Sequence, residues 1–217
     1  IGAGVRIGDD ALILEGVKIG AGVTIGARVR LHPGVVLGSD GFSFVTPETS
    51  AVETVRQTMG SRFEARAQSL ERIHSLGALQ LGDDVEIGSN STLDRGTIAD
   101  TVVGSGTKID NLVQIGHNAA IGRDCLLCGQ SAMAGSSRLG DRVVVGGAAS
   151  IADHVTVGDD AVIAGKSGVG ANVPAGRAVM GYPAIPLDRN IEAYKAFRRL
   201  PRLVKTVEDI KAALSKK

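Results

Sequence analysis

The 217 residues are 43% hydrophobic but only 3% aromatic, include 30 glycines and carry a formal net charge of +1. Such a chain can bury a sizeable core, but glycine this abundant and aromatics this scarce exclude an ordinary compact one. The balanced charge excludes a global field for nucleic acid or a membrane surface, and no apolar run approaches the roughly 18 residues of a membrane span.

From the first residue an aliphatic side chain returns every six positions, at Ile1, Ile7, Ile13, Ile19, Ile25, Leu31 and Leu37. Glycine often follows it directly, as in Ile7-Gly8 and Ile25-Gly26. The period resumes at Leu81, Ile87 and Leu93, slips by four residues through Ile98-Ala99-Asp100-Thr101, and then runs unbroken from Val103 to Val169. A second column of small or β-branched residues lies two positions earlier, as at Val113, Ala119, Cys125, Ser131 and Ser137. Alternation over so few residues predicts very short strands, and six residues per strand and turn build neither a hairpin meander nor a helix. The pattern predicts an all-β solenoid of triangular section, one hexapeptide per side and eighteen residues per coil. Coils then stack roughly 4.8 Å apart, with glycines expected to take positive φ at the corners. The chain opens inside the repeat without an initiator Met, so we expect residues upstream of Ile1 and leave a signal peptide outside the reading.

The expected organisation is a first β-helical part over 1–38, an insertion over 39–80, a second β-helical part over 81–186 and C-terminal helices over 187–217. Within the insertion, Val55, Met59 and Phe63, then Leu70 and Ile73, predict a loop with a short amphipathic helix between Glu53 and Leu76. After Leu187 the apolar spacing is helical, and Pro201 predicts a junction between two helices. This tail is basic, with Arg189, Lys195, Arg198, Arg199, Arg202 and Lys205 among its cations, which suits an acidic macromolecular partner. Cys125 and Cys128 form no disulfide framework, so a reducing compartment, the cytoplasm, is expected. One points inward and the other outward, which argues against a shared metal or redox role.

Chemistry concentrates in Lys108–Asn118, where Asp110, Gln114, His117 and Asn118 occupy positions the repeat does not need for folding. His117 is the side chain among them that exchanges protons near neutral pH. Gly135 follows it by one coil, so a residue without a side chain is expected beside the imidazole, leaving space and a backbone N–H. His154 lies two coils and one residue further on, roughly 10 Å along the axis, too far for the two to share a metal.

Several motifs occur in order: Gly-Ser-Asp-Gly-Phe at 38–42, Asp-Asp-Val-Glu-Ile-Gly-Ser-Asn-Ser-Thr-Leu-Asp-Arg-Gly at 83–96 and Lys-Ile-Asp-Asn-Leu-Val-Gln-Ile-Gly-His-Asn at 108–118. With Ala-Gly-Ser at 134–136 and Gly-Gly-Ala at 146–148, the chain resembles the UDP-3-O-(3-hydroxyacyl)glucosamine N-acyltransferase family of lipid A biosynthesis. The resemblance implies a left-handed parallel β-helix, a hand that the usual crossover rule alone would not predict. It also implies transfer of a 3-hydroxyacyl group from acyl carrier protein to the 2-amine of a UDP-sugar, with His117 as general base and the Gly135 N–H as oxyanion donor. Asp110 would be a carboxylate near the base, His154 a second active-site His, and Gln114, Asn118 and Phe42 substrate-side residues. The family is a homotrimer with sites between solenoids, whose C-terminal helices engage the carrier protein; Arg198, Arg199 and Arg202 fall there. No bound cofactor or metal is implied, since the 4'-phosphopantetheine arrives on the carrier protein. The chain departs from the family in having no N-terminal uridine-binding domain within these residues and in a longer 39–80 insertion. The alternatives are a coenzyme-A-dependent hexapeptide acetyltransferase, which has no use for the basic tail or Asp-Arg-Gly, and a non-enzymatic structural solenoid, for which the required flat ladder of outward Thr is missing. A solenoid carbonic anhydrase needs three zinc-binding His on neighbouring coils, and the spacing of His32, His74, His117 and His154 does not supply them.

Overall fold

The computed structural model describes residues 1–49, 54, 69–181 and 184–215. Ile1–Gly181 form one compact unit and Tyr182–Lys217 a second.

The first unit winds as a left-handed parallel β-helix. Three parallel sheets of seven, eight and seven strands make its sides. The first side begins at Arg6–Ile7, the second at Leu12–Ile13 and the third at Lys18–Ile19. Most strands are two residues long because one residue must face inward and the next outward before the chain turns. On the second side Ile109 sits beside Leu127, Leu127 beside Val145 and Val145 beside Ile163. All four are essentially inaccessible to water. The second column is equally buried, including Val113, Ser131, Ala149 and Cys125. Inward small residues at this position let three aliphatic columns meet on the axis without voids. Cys125 Sγ lies 3.1 Å from the Gly140 carbonyl, and burial pushes its thiol pKa up, which suits a packing role.

Between coils, backbone N–H groups donate to carbonyls of the next, as in Gly8 to Ile25 at 2.8 Å and Gly122 to Leu139 at 2.9 Å. The corners differ from expectation. Among the described residues, fourteen non-glycine residues, Asp84, Asn90, Asn118 and His154 included, have positive φ against seven glycines. Asp and Asn tolerate this region because their short polar side chains bond locally. The glycine after the aliphatic answers a different need. A Cβ on Gly26 would stand 2.5 Å from the Gly82 carbonyl carbon of the next coil. One on Gly8 would stand 2.6 Å from the Ala27 nitrogen. The Ile-Gly signature therefore marks close approach of coils.

The period is lengthened twice, and the last coil is two residues short, with Val173 beside Val157 and Val179 beside Ile163. After Val36–Ser39 the chain leaves the solenoid and returns at Leu79–Leu81, where Leu81 packs beside Ile25. In the excursion Phe44–Val45 pairs antiparallel with Glu71–Arg72, and the Arg72 guanidinium lies 4.6 Å from the centre of the Phe44 ring. The helix expected over 53–76 lies mostly outside the described residues. Its C-terminal part is corrected: Glu71–Arg72 is a strand, because Phe44–Val45 offers it a ladder that three-residue spacing of Leu70 and Ile73 could not reveal. The second break is the four-residue lengthening around 97–100, after which Leu81 faces Val103 and Leu93 faces Ile115.

In the second unit, Leu187–Leu214 is one 28-residue helix with Pro201 inside it, in place of the two helices expected. A proline removes one N–H and leaves the Phe197 carbonyl without its donor. On a helix with no buried residue, water can take that carbonyl, so the remaining turns hold. No helix among the described residues is long and apolar enough to cross a membrane.

The two kinds of glycine can be separated by experiment. Gly22 has φ 74° with nothing within 4 Å of a Cβ, so Gly22→Ala should cost about 1–2 kcal/mol of left-handed strain. Gly26→Ala must push two coils apart and should lower the melting temperature further. The opposite order in thermal melts would refute the close-approach account.

Candidate active site

His117 stands on the corner that follows Gln114–Ile115 on the third side. Its neighbour Asn118 takes φ 59° and donates its backbone N–H to Thr101 Oγ1 at 2.9 Å. Asn118 Oδ1 accepts the Thr97 backbone N–H at 2.6 Å, which fixes which end of the amide is oxygen. That same oxygen is 3.2 Å from His117 Nδ1. An amide oxygen has no proton to give, so Nδ1 carries the hydrogen and Nε2 keeps the lone pair. Thr97 Oγ1 lies 3.2 Å from Nδ1. Ser43 Oγ lies 3.0 Å from Nε2 and, in this tautomer, donates to it.

Two glycines hold the ring. A Cβ on Gly41 would come within 2.6 Å of His117 Cβ and 2.9 Å of Cδ2. One on Gly135 would come within 2.7 Å of both Cε1 and Nε2. The imidazole thus packs against backbone at both positions, as the eighteen-residue spacing of Gly135 foretold for one of them.

The ring opens onto a cavity of about 500 Å³ lined also by Asp40, Phe42, Arg72, Asp94, Gln114 and Met133. Asp94 is 8% exposed. Its Oδ1 accepts from Ser39 Oγ at 2.8 Å and its Oδ2 from Gln114 Nε2 at 3.2 Å. Burial pushes its pKa up, opposed by the Ser39 bond and the proximity of His117. Arg72 donates to the Gly41 carbonyl at 3.3 Å. Phe42 is exposed and meets Phe44 edge-on at 5.0 Å.

Of the residues expected at the site, Gln114, Asn118, Phe42 and Gly135 gather around His117. Asp110 does not, in a single chain. It is exposed on the second side, where its Oδ2 accepts the Gly129 N–H at 2.9 Å and its Oδ1 the Asn111 N–H at 2.7 Å. It lines another cavity of about 610 Å³ with His32, Glu86, Lys108 and Cys128. Seven residues separate it from His117, one hexapeptide and one more, which turns the two onto different sides. The carboxylates in the His117 cavity are instead Asp40 and Asp94. His154 is exposed two coils away, its N–H 3.3 Å from the Gly135 carbonyl. Arg198, Arg199 and Arg202 are exposed along the helix of the second unit. Sequence reasoning missed Ser43, Thr97, Asp94 and Arg72. Two had a signal: Asp94 opens the Asp-Arg-Gly motif, and Thr97 immediately precedes the four-residue slip. Among the described residues no group of three or more potential ligands could hold a metal ion.

The tautomer is directly testable. In ¹⁵N-resolved NMR of neutral His117, Nδ1 should carry the proton, and Asn118→Leu should abolish that preference. A native Nε2–H tautomer would overturn the hydrogen-bond assignment.

The bacterial transferase hexapeptide (six repeats) family matches residues 1–39. The chain is 57% identical over 185 residues to a UDP-3-O-acylglucosamine N-acyltransferase of Ruegeria pomeroyi, covering 85% of this chain and 51% of that protein. A Paracoccus denitrificans protein of the same name is 56% identical over 189 residues, covering 87% of this chain and 52% of that one. The chain thus spans about half the length of these curated relatives. In fold it is similar to a UDP-N-acetylglucosamine acyltransferase from Campylobacter jejuni, with TM-score 0.65, 20% identity, and 93% and 80% of the two chains covered. Over the residues they share, the chain belongs to the UDP-3-O-acylglucosamine N-acyltransferase family.

Proposed function

We propose that this chain carries the acyl-transfer site of an enzyme that moves a 3-hydroxyacyl group from acyl carrier protein to the 2-amine of a UDP-3-O-acylglucosamine in lipid A biosynthesis. The observation that carries the reading is the His117 cavity: an imidazole whose Nδ1 is hydrogen-bonded to a fixed amide oxygen, with its Nε2 lone pair against a glycine backbone. The relatives' name supplies the acceptor and the reaction.

In this reaction the acceptor nitrogen attacks the thioester carbonyl. A C–N bond forms, the C–S bond breaks, and the sulfur leaves as the thiol of the carrier's phosphopantetheine. His117 Nε2 takes the proton from nitrogen and returns it to the departing sulfur. Ser43 Oγ donates to Nε2, and Thr97 Oγ1, 3.5 Å from Ser43 Oγ, offers that hydroxyl a second partner when the amine arrives. The Gly135 N–H is the proposed donor to the oxyanion, and Phe42, Gln114 and Asn118 shape the acceptor side, with His154 further along the axis.

The active form is proposed to be a cytoplasmic homotrimer with its sites between parallel copies. Support comes from the second side, where Leu126, Val144 and Val162 stack outward and Leu126 and Val162 remain 49% and 44% exposed. In that arrangement Asp110 and its cavity would belong to the cleft of a neighbouring copy. The basic helix, through Arg198, Arg199 and Arg202, is the proposed contact for the acidic carrier protein.

Mass spectrometry of the protein carrying this chain, given UDP-3-O-acylglucosamine and acyl-loaded carrier, should detect the N-acylated product. His117→Ala should lower the rate by roughly 10² to 10⁴ without lowering the melting temperature. Near-native turnover with chemistry limiting would remove His117 from the role of base. Reversing Arg198, Arg199 and Arg202 to Glu should weaken carrier binding and flatten its salt dependence. Unchanged affinity at low ionic strength would mark these as solvated surface charges.

A further inference from the structure

We propose that Asp94 receives the acceptor's amine and makes the cavity select a nitrogen over an oxygen acceptor; this rests on the acyl-transfer reading above. Asp94 ends the strand Thr92–Asp94, where pairing with Val36–Ser39 shifts register between Leu93 and Asp94. Such an irregularity re-aims a side chain, and here it turns a carboxylate into the wall of the His117 cavity.

A carboxylate has about four acceptor positions. Asp94 gives two of them to Ser39 and Gln114. Neither donor is charged. Among the described residues the arginines nearby are engaged elsewhere: Arg72 donates to Gly41 and stacks on Phe44, and Arg95 donates to the Gly77 carbonyl at 2.8 Å. Among the described residues Asp94 has no guanidinium partner, and a buried carboxylate so held is costly for folding alone, which points to a ligand that supplies positive charge. A sugar amine does so. In its ammonium form it offers several N–H donors and a full charge, whereas a hydroxyl offers one donor and none. The bound ammonium has no lone pair, so it first releases one proton to solvent; the neutral amine left on Asp94 then attacks, and its next proton goes through His117 Nε2 to the departing sulfur.

The groups that face Asp94 are His117, Asp40, Arg72, Ser39 and Gln114. Burial and Asp40 favour its protonation, while Ser39, His117 and Gln114 oppose it. Preference for the amine therefore requires the ionised carboxylate and should fall as pH drops through its titration.

The test compares binding of UDP-3-O-acylglucosamine with that of its 2-hydroxyl analogue, UDP-3-O-acylglucose, by calorimetry on the protein carrying this chain. The native protein should favour the amine by about 10- to 100-fold, the range for a hydrogen bond to a charged group. Asp94→Asn keeps the Ser39 bond and lets the Gln114 amide turn over, and it should bring the ratio near unity. In the native protein the ratio should shrink as pH falls, a readout that holds even if the variant fails to fold. A ratio retained in Asp94→Asn, or independent of pH in the native protein, overturns the assignment of Asp94 while leaving acyl transfer standing. Binding of neither compound by the native protein overturns the acyl-transfer reading and this inference together.

Discussion

Each coil must bring its backbone N–H groups to the carbonyls of the next one, and eighteen residues is the length at which the chain meets itself in register. The inward aliphatic columns, the close-approach glycines and the left-handed corners all serve that return. Any residue beyond eighteen has to be extruded at a corner. The chain does this twice, after Ser39 and around 97–100, and the two extrusions are tied together by Leu76 N–H to Thr97 carbonyl and Gly77 N–H to Gly96 carbonyl, both at 2.9 Å. The site stands where they meet. Gly41 and Ser43 come from the first break, Thr97 from the second, and His117 from the regular coil beside them. A scaffold this rigid holds a side chain in place, and its irregularities supply the partners that the repeat does not.

The electrostatics of the corner follow from the choice of Asn118. A carboxylate against Nδ1 would favour the charged imidazolium. An amide oxygen, itself held by a backbone N–H, orients the ring and directs the proton to Nδ1 without adding a negative charge there. The buried carboxylate of the cavity, Asp94, bonds instead to Ser39 and Gln114. The group that orients the imidazole and the buried carboxylate are thereby separate residues, each with its own surroundings.

Periodicity made the solenoid legible because burial at a fixed interval is written directly in residue type. Ile109, Leu127, Val145 and Ile163 could be stacked before any coordinates, and Gly135 could be set beside His117 by counting eighteen. The corners were less legible: positive φ is open to Asp, Asn and even Leu112 when the ladder on either side determines the turn. The single helix through Pro201, where two were expected, has a local cause: with no residue of the helix buried, the freed carbonyl is open to solvent. Asp110 shows a different limit. The family resemblance put it near the base, yet within one chain its position in the repeat turns it to another side.

By itself, then, the sequence determined the coil length, the inward columns, the position of the two interruptions and the placing of Gly135 beside His117, because each of these depends on spacing along one chain. Only the tertiary structure decided that Ser43 and Thr97 meet His117 and that Asp94 and Arg72 line its cavity. Their placement depends on how two irregular segments fold back on each other, through single backbone hydrogen bonds and a register shift that carry no period. Contacts made across 74 residues, as between Ser43 and His117, are set by the closure of the coil between them, and no local pattern records them.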